Sequence, residues 1–105
     1  MKRVRKTNVY RKWIKRLKDK TGKAIILQRI KRLYDGNPGD CAPVGEGVSE
    51  MRIHTGPGYW VYFRDTGTEL ILLLCGGDKS TQQTDITQAK ELALIPLEEE
   101  KVWKK

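Results

Sequence analysis

Apolar positions recur at helical spacing from residue 8 to residue 34, and at strand spacing from residue 48 to residue 75. Val9, Tyr10, Trp13, Ile14 and Leu17 share one stripe, which predicts a helix over Asn8 to Lys20 with Thr7 or Asn8 as its cap. Arg11, Lys12, Lys15 and Lys18 take the opposite side of that helix, so one face enters the core and the other is a row of cations. Thr21-Gly22 reads as a break. A second helix is expected from Lys23 to about Tyr34, burying Ile26, Leu27, Ile30, Leu33 and Tyr34 and leaving Gln28, Arg29 and Arg32 outside; Ile25 falls on the polar side. Asp35-Gly36-Asn37-Pro38-Gly39 ends it, because Gly36 can turn left-handed and Pro38 cannot continue the hydrogen-bond ladder. The two helices form a hairpin.

After a loop through Gly47 the period changes to two. Ser49, Met51 and Ile53 alternate with Val48, Glu50, Arg52 and His54, the pattern of a half-buried strand. Thr55-Gly56-Pro57-Gly58 turns the chain, and Tyr59, Val61 and Phe63 then alternate with Trp60, Tyr62 and Arg64. A turn at Asp65-Thr66-Gly67-Thr68 leads to Glu69–Cys75, whose continuous apolar run suits a central strand covered on both faces. Gly76-Gly77-Asp78-Lys79 is expected to leave the sheet, Ser80 with Gln83 fits a capping box, and Ile86, Ala89 and Ala93 give a modest helical stripe. Residues 2–6 can add an edge strand. The expectation is an α+β fold, β-α-α-β-β-β-α, with a helical hairpin on one face of a small, mainly antiparallel sheet. One domain fills residues 1–95, and residues 96–105 form a charged tail.

The 105 residues allow a single core. The longest apolar run, Leu70–Cys75, is far shorter than the roughly 20 residues that span a bilayer, and the basic amino terminus precedes no apolar stretch. A cytoplasmic protein with no membrane association is expected. Cys41 and Cys75 lack metal-ligand spacing and are read as small buried hydrophobes rather than a disulfide, and no metal or cofactor is expected. The net charge of +8 is unevenly placed: residues 1–32 hold 14 Lys or Arg against one acid, Asp19, while residues 33–105 hold 7 against 12. Such a block suits a polyanion partner, or an acidic protein, or a solvated face.

Glu50, Arg52 and His54 share one strand face, as do Trp60, Tyr62 and Arg64. If the faces coincide they form a polar wall of phosphate size, with Lys79 at its mouth. The same spacing equally describes a solvent-facing surface with cross-strand pairs such as Glu50 with Arg64. Gly76-Gly77-Asp78-Lys79-Ser80 is not a P-loop, since Asp78 and Leu72 stand where that pattern needs glycine.

Several stretches resemble a known family. They are Lys12-Trp13-Ile14, Leu17-Lys18-Asp19, residues 36–40 (GNPGD), residues 47–53 (GVSEMRI), residues 56–59 (GPGY) and residues 73–82 (LLCGGDKSTQ). In this order, over roughly residues 8–93, the chain resembles the addiction-module killer proteins of the RelE/ParE toxin superfamily, near the HigB-like toxins. The resemblance implies a RelE-like fold and the toxin of a type II toxin-antitoxin pair, which enters the ribosomal A site and cleaves messenger RNA without a metal. The ribose 2′-oxygen attacks its own adjacent phosphate, leaving a 2′,3′-cyclic phosphate and a free 5′-hydroxyl. Arg52 matches the strand arginine beside the scissile phosphate and Lys79 a basic loop position used against phosphate. Glu50 is a candidate proton acceptor, and Tyr62 and His54 complete the wall as stacking or proton-transfer candidates. The cations Arg11, Lys12, Lys15, Lys18, Arg29 and Arg32 would meet ribosomal RNA, with Trp60 and Arg64 beside the message.

Two positions depart from the family pattern. Trp60 stands where an arginine follows the Gly-Tyr pair, and Ile25 where relatives often carry arginine. Trp60 can stack on a base but cannot neutralise phosphate. This leaves three readings: a weakened nuclease relying on Arg52, Lys79 and Arg64, a remnant that only binds RNA or antitoxin, or a ParE-like poison of DNA gyrase. The expected protein partner is an antitoxin of helix-turn-helix type encoded nearby, alongside the ribosome and its message.

Overall fold

Asp19, not Thr21-Gly22, separates the first two helices. Its side chain accepts from the Gly22 amide at 2.9 Å and caps the second helix. Burial opposes this carboxylate's charge, but the Gly22 amide and the Tyr59 hydroxyl, 2.8 Å away, outweigh that effect and hold its pKa below the usual range. Gly22 is therefore a close-approach residue inside a helix, because an added Cβ would lie 2.7 Å from Asp19 and 2.8 Å from the Tyr59 ring.

The computed structural model describes residues 3–67, 70–94 and 103–104. In chain order the elements are β1 (Arg3–Thr7), α1 (Asn8–Arg16), α2 (Lys20–Tyr34), β2 (Cys41–Gly45), β3 (Val48–Ile53), β4 (Tyr59–Asp65), β5 (Leu70–Asp78), a 3₁₀ turn (Lys79–Thr81), α3 (Gln82–Ala93) and β6 (Trp103–Lys104). The architecture is α+β. The sheet is mixed, in the order β2-β3-β4-β5-β1-β6, with β1 parallel to β5 and the other neighbours antiparallel.

Several expectations need correction. The first helix ends at Arg16, four residues early, and the second begins at Lys20. Residues 41–45, expected as loop, are an edge strand; Pro43 hid it, and Pro is tolerated there because an edge leaves one row of backbone groups unpaired. Gly76–Asp78 remain in β5 instead of leaving the sheet. Ser80 does not cap α3: its amide and hydroxyl both donate to Asp78, at 2.9 and 2.6 Å, which closes the preceding 3₁₀ turn. The element string is thus β-α-α-β-β-β-β-α-β. Residues 103–104, expected in a loose tail, pair with Lys6 and Thr7, so β1 is not at the edge there. Lys2, Thr68, Glu69 and the remainder of the expected tail lie outside the described residues.

Three layers bury two cores. On one sheet face Tyr10, Ile26, Ile30 and Leu33 of the hairpin meet Met51, Ile53, Tyr59, Val61, Phe63, Ile71 and Leu73. On the other, Ala89, Leu92 and Ala93 of α3 cover Val48, Tyr62, Leu70, Leu72, Leu74 and Cys75. Cys41 packs against the first core and Cys75 lies in the second, so the sheet separates them and both are free thiols. Burial pushes the Cys75 thiol up to about 12. Buried Thr7 ties the layers together: its Oγ1 accepts from the Tyr10 amide at 3.0 Å, capping α1, and donates to the Leu74 carbonyl of β5. Among the described residues no helix is long and apolar enough to cross a membrane.

Opposite Tyr62 and Phe63 of β4 stand Cys75 and Leu73, so Leu74 is the extra residue of a bulge. It reverses the facing of everything beyond it. Gly76 consequently lies under Trp13, where an added Cβ would sit 2.3 Å from the indole, and Gly77 lies under Asp85 on the other face. Gly76→Ala is expected to destabilise the fold by about 1–3 kcal/mol through overpacking. Denaturant unfolding checks it, and an unchanged midpoint with unchanged slope would mean that Trp13 moves aside freely.

Candidate functional site

Register decides whether the two polar strand faces coincide, and they do. Arg52 lies opposite Trp60, which lies opposite Gly77; Glu50 lies opposite Tyr62, which lies opposite Cys75. Two parallel rows therefore cross β3, β4 and β5 on the α3 side. Glu50 pairs along its own strand rather than with Arg64: Arg52 Nε donates to Glu50 Oε2 at 2.9 Å. The Glu50 side chain is 7% exposed and that of Arg52 is 40% exposed, so a sunken carboxylate holds an accessible guanidinium in place. Glu50 also raises the Arg52 pKa, keeping it charged.

Asp40, just before β2, joins this group. Its Oδ2 lies 2.6 Å from His54 Nε2 and its Oδ1 3.8 Å from Arg52 Nη1. Burial acts the other way, but the His54 hydrogen bond, with smaller help from the Arg52 charge, holds its carboxyl below the ordinary range. With Nε2–H donated to Asp40, Nδ1 is the ring nitrogen left to accept a proton. His54 is 74% exposed on its side chain, open to a large ligand. The loop carrying Asp40 is held by Arg29, which donates to the carbonyls of Arg52 at 2.7 Å, Pro38 at 3.2 Å and Asp40 at 3.4 Å.

The expected wall is thus partly corrected. Tyr62 is completely buried beneath α3 and cannot reach a base. Glu50 is buried too, and serves Arg52 rather than facing solvent. Arg29 is a half-buried loop clamp, not a free cation, and Arg64 donates to the Ala93 carbonyl at 3.2 Å, satisfying the end of α3 away from Arg52. Lys79 is exposed at the start of the 3₁₀ turn. Arg11 is half-buried on α1; Lys12 and Lys15 on the same helix, Lys18 in the break and Arg32 on α2 are exposed.

The chain is 49% identical over 90 residues to an uncharacterized protein of Haemophilus influenzae, covering 86% of this chain and 91% of that one. The chain belongs to that protein's family. No family model and no solved structure matches it. For this member of the Haemophilus protein's family, the arrangement can hold an anion at Arg52 and move a proton at His54.

That Asp40 stands beside Arg52 and His54, and that Asp85 stands over Gly77, was not legible in the sequence. Asp40 fell in the loop that follows the helix stop, and its side chain meets Arg52 and His54 only because residue 40 runs beside residue 52, the Arg52 amide donating to its carbonyl at 2.9 Å. Asp85 lies on α3 and reaches the sheet only because residue 77 is glycine. Among the described residues no three His, Cys, Asp or Glu side chains gather as metal ligands.

Proposed function

We propose that this chain is the toxin of a type II toxin-antitoxin pair, of RelE/ParE and HigB-like type, that cleaves messenger RNA on the ribosome through attack of a ribose 2′-oxygen on its own phosphate. The observation that carries it is the Arg52 guanidinium, accessible yet anchored by Glu50 at 2.9 Å, with His54 held beside it by Asp40. The phosphate lies on Arg52, whose charge offsets the negative charge that grows on the phosphorane oxygens. His54 Nδ1 accepts the 2′-hydroxyl proton, and Asp40 stabilises the imidazolium that results. Trp60, half-buried opposite Arg52, stacks on a neighbouring base, worth about 1–3 kcal/mol in single-strand binding. Lys79 and the α1 cations add phosphate contacts, so affinity falls steeply with salt.

The antitoxin of the pair meets α1. Between α1 and α3 runs a groove of about 450 Å³, floored by Val9, Trp13, Leu17 and Gly76 and rimmed by Lys12 and Arg16. α1 bears no acid. An amphipathic segment with acidic flanks matches that apolar floor and cationic rim.

Primer extension on messages from a translating bacterial extract tests the proposal. New stops within translated codons, with 2′,3′-cyclic phosphate ends on the upstream fragments, are expected from the purified protein. Messages left intact while translation proceeds would overturn it.

A further inference from the structure

A metal-free cleavage needs an acid as well as a base. In-line displacement places the entering 2′-oxygen and the leaving 5′-oxygen on opposite sides of phosphorus, so the two proton-transfer groups must approach from opposite sides of the phosphate clamp. His54 and Asp40 approach Arg52 from the β2 side of β3. On the β5 side, in the same row, lies Gly77, and above it the carboxylate of Asp85: an added Cβ at residue 77 would fall 1.8 Å from Asp85 Oδ2 and 2.6 Å from Thr81 Oγ1. The Thr81 hydroxyl donates to Asp85 Oδ2 at 2.5 Å, fixing one oxygen and leaving the other.

Two further polar groups lie on this face of the sheet. The Tyr62 hydroxyl and the Trp60 indole N–H, neighbours on this face, are buried donors without a hydrogen-bond partner, and Tyr62 is 0% exposed. Natural interiors pair such groups almost always. Burial first, and then the nearby charges of Glu50, Asp85 and Cys75, raises the Tyr62 pKa, so its hydroxyl lies on the same side of the sheet as Asp85.

We infer that Asp85 is the general acid of the cleavage reaction, seated by the glycine at residue 77 and by Thr81 to face the leaving 5′-oxygen. The inference rests on the proposed function. In the reaction the 2′-hydroxyl proton passes to His54, the 2′-oxygen–phosphorus bond forms and the phosphorus–5′-oxygen bond breaks. The leaving oxygen keeps the electron pair and takes the Asp85 proton. The imidazolium and the Asp85 carboxylate then exchange with solvent. Burial, with a smaller push from the Asp78 charge, holds the Asp85 carboxyl above its ordinary range against the lowering effect of the Thr81 hydrogen bond, and so favours the protonated form that an acid requires. The groups facing it are Tyr62 from β4, Cys75 and Asp78 from β5, and Thr81.

The test uses the full chain on ribosomes programmed with a message whose A-site codon carries either an ordinary linkage or a bridging 5′-phosphorothiolate. Sulfur leaves as a thiolate without protonation. Asp85→Asn is expected to cut the ordinary message ~10²- to 10⁴-fold more slowly than the parent, the span of general-acid effects, and the phosphorothiolate at nearly the parental rate. Arg52→Ala, by contrast, slows both. If D85N is equally slow on both, or as fast as the parent on the ordinary message, Asp85 is not the acid. If the parent cuts neither message, the underlying cleavage reading falls and this inference with it. Should D85N fail to melt cooperatively, Asp85→Glu carries the comparison: loss confined to the ordinary message supports the assignment, and equal loss on both refutes it.

Discussion

An Arg52→Ala protein is expected to cleave ribosome-bound message about 10²- to 10³-fold more slowly than the parent, the usual cost of removing one donor aimed at transition-state charge. The substitution also strands Glu50. Its carboxylate, 7% exposed, has Arg52 Nε as its partner at 2.9 Å and would become a buried charge without one. Arg52→Ala therefore loses stability as well as rate, and the double variant Arg52→Ala, Glu50→Gln separates the two. Neutralising Glu50 removes the stranded charge, so melting recovers while cleavage does not. Single-turnover cleavage on the ribosome together with thermal melting makes the measurement. Parental cleavage by R52A would remove Arg52 from the chemistry, and cleavage restored in the double variant would mean that the loss came from folding alone.

Trp60→Arg is expected to act in the opposite direction. Residue 60 lies directly across from Arg52, and side chains so paired stand about 5 Å apart at their Cβ atoms. A second guanidinium there meets the same phosphate, and a gain on the order of 10²-fold is the mirror of the loss at Arg52. Repulsion between the two cations is moderated by Glu50 and Asp40, which already border Arg52. The indole gives up apolar contact with the core beneath α3, but its N–H has no hydrogen-bond partner, so removing it abandons nothing polar. Growth arrest on expression and cleavage in extract report the gain. A folded W60R protein no faster than the parent would show that a second cation across from Arg52 contributes nothing to the reaction.

The strand faces were legible because period-two alternation states directly which side chains share a side: Glu50 with Arg52, Trp60 with Tyr62. Which of those residues meet solvent was not. Tyr62 and Glu50 are polar by type and read as wall residues, yet both are buried, Tyr62 beneath α3, whose stripe of Ile86, Ala89 and Ala93 says that it buries a face without saying which face. Arg29 and Arg64 read as free cations because nothing local to either announces the distant carbonyls that each one caps. Gly22 read as a helix breaker for a similar reason. A glycine signals either a turn or a close approach, and only the Tyr59 ring 2.8 Å from its missing Cβ shows which.

By itself the chain's pattern determined the helical hairpin, the antiparallel run from β3 to β5, the concentration of positive charge on the first third and the identity of Arg52 as the prominent strand cation. These follow from spacing, and spacing is a local property of covalent geometry. Tertiary structure alone decided that Asp40 stands beside His54, that the bulge at Leu74 turns Gly77 toward Asp85, and that Glu50 lies buried under its arginine. Each depends on one strand's register against another, or on which helix covers which face. Those choices are set by the summed burial of the two cores, a quantity that no short window of residues contains.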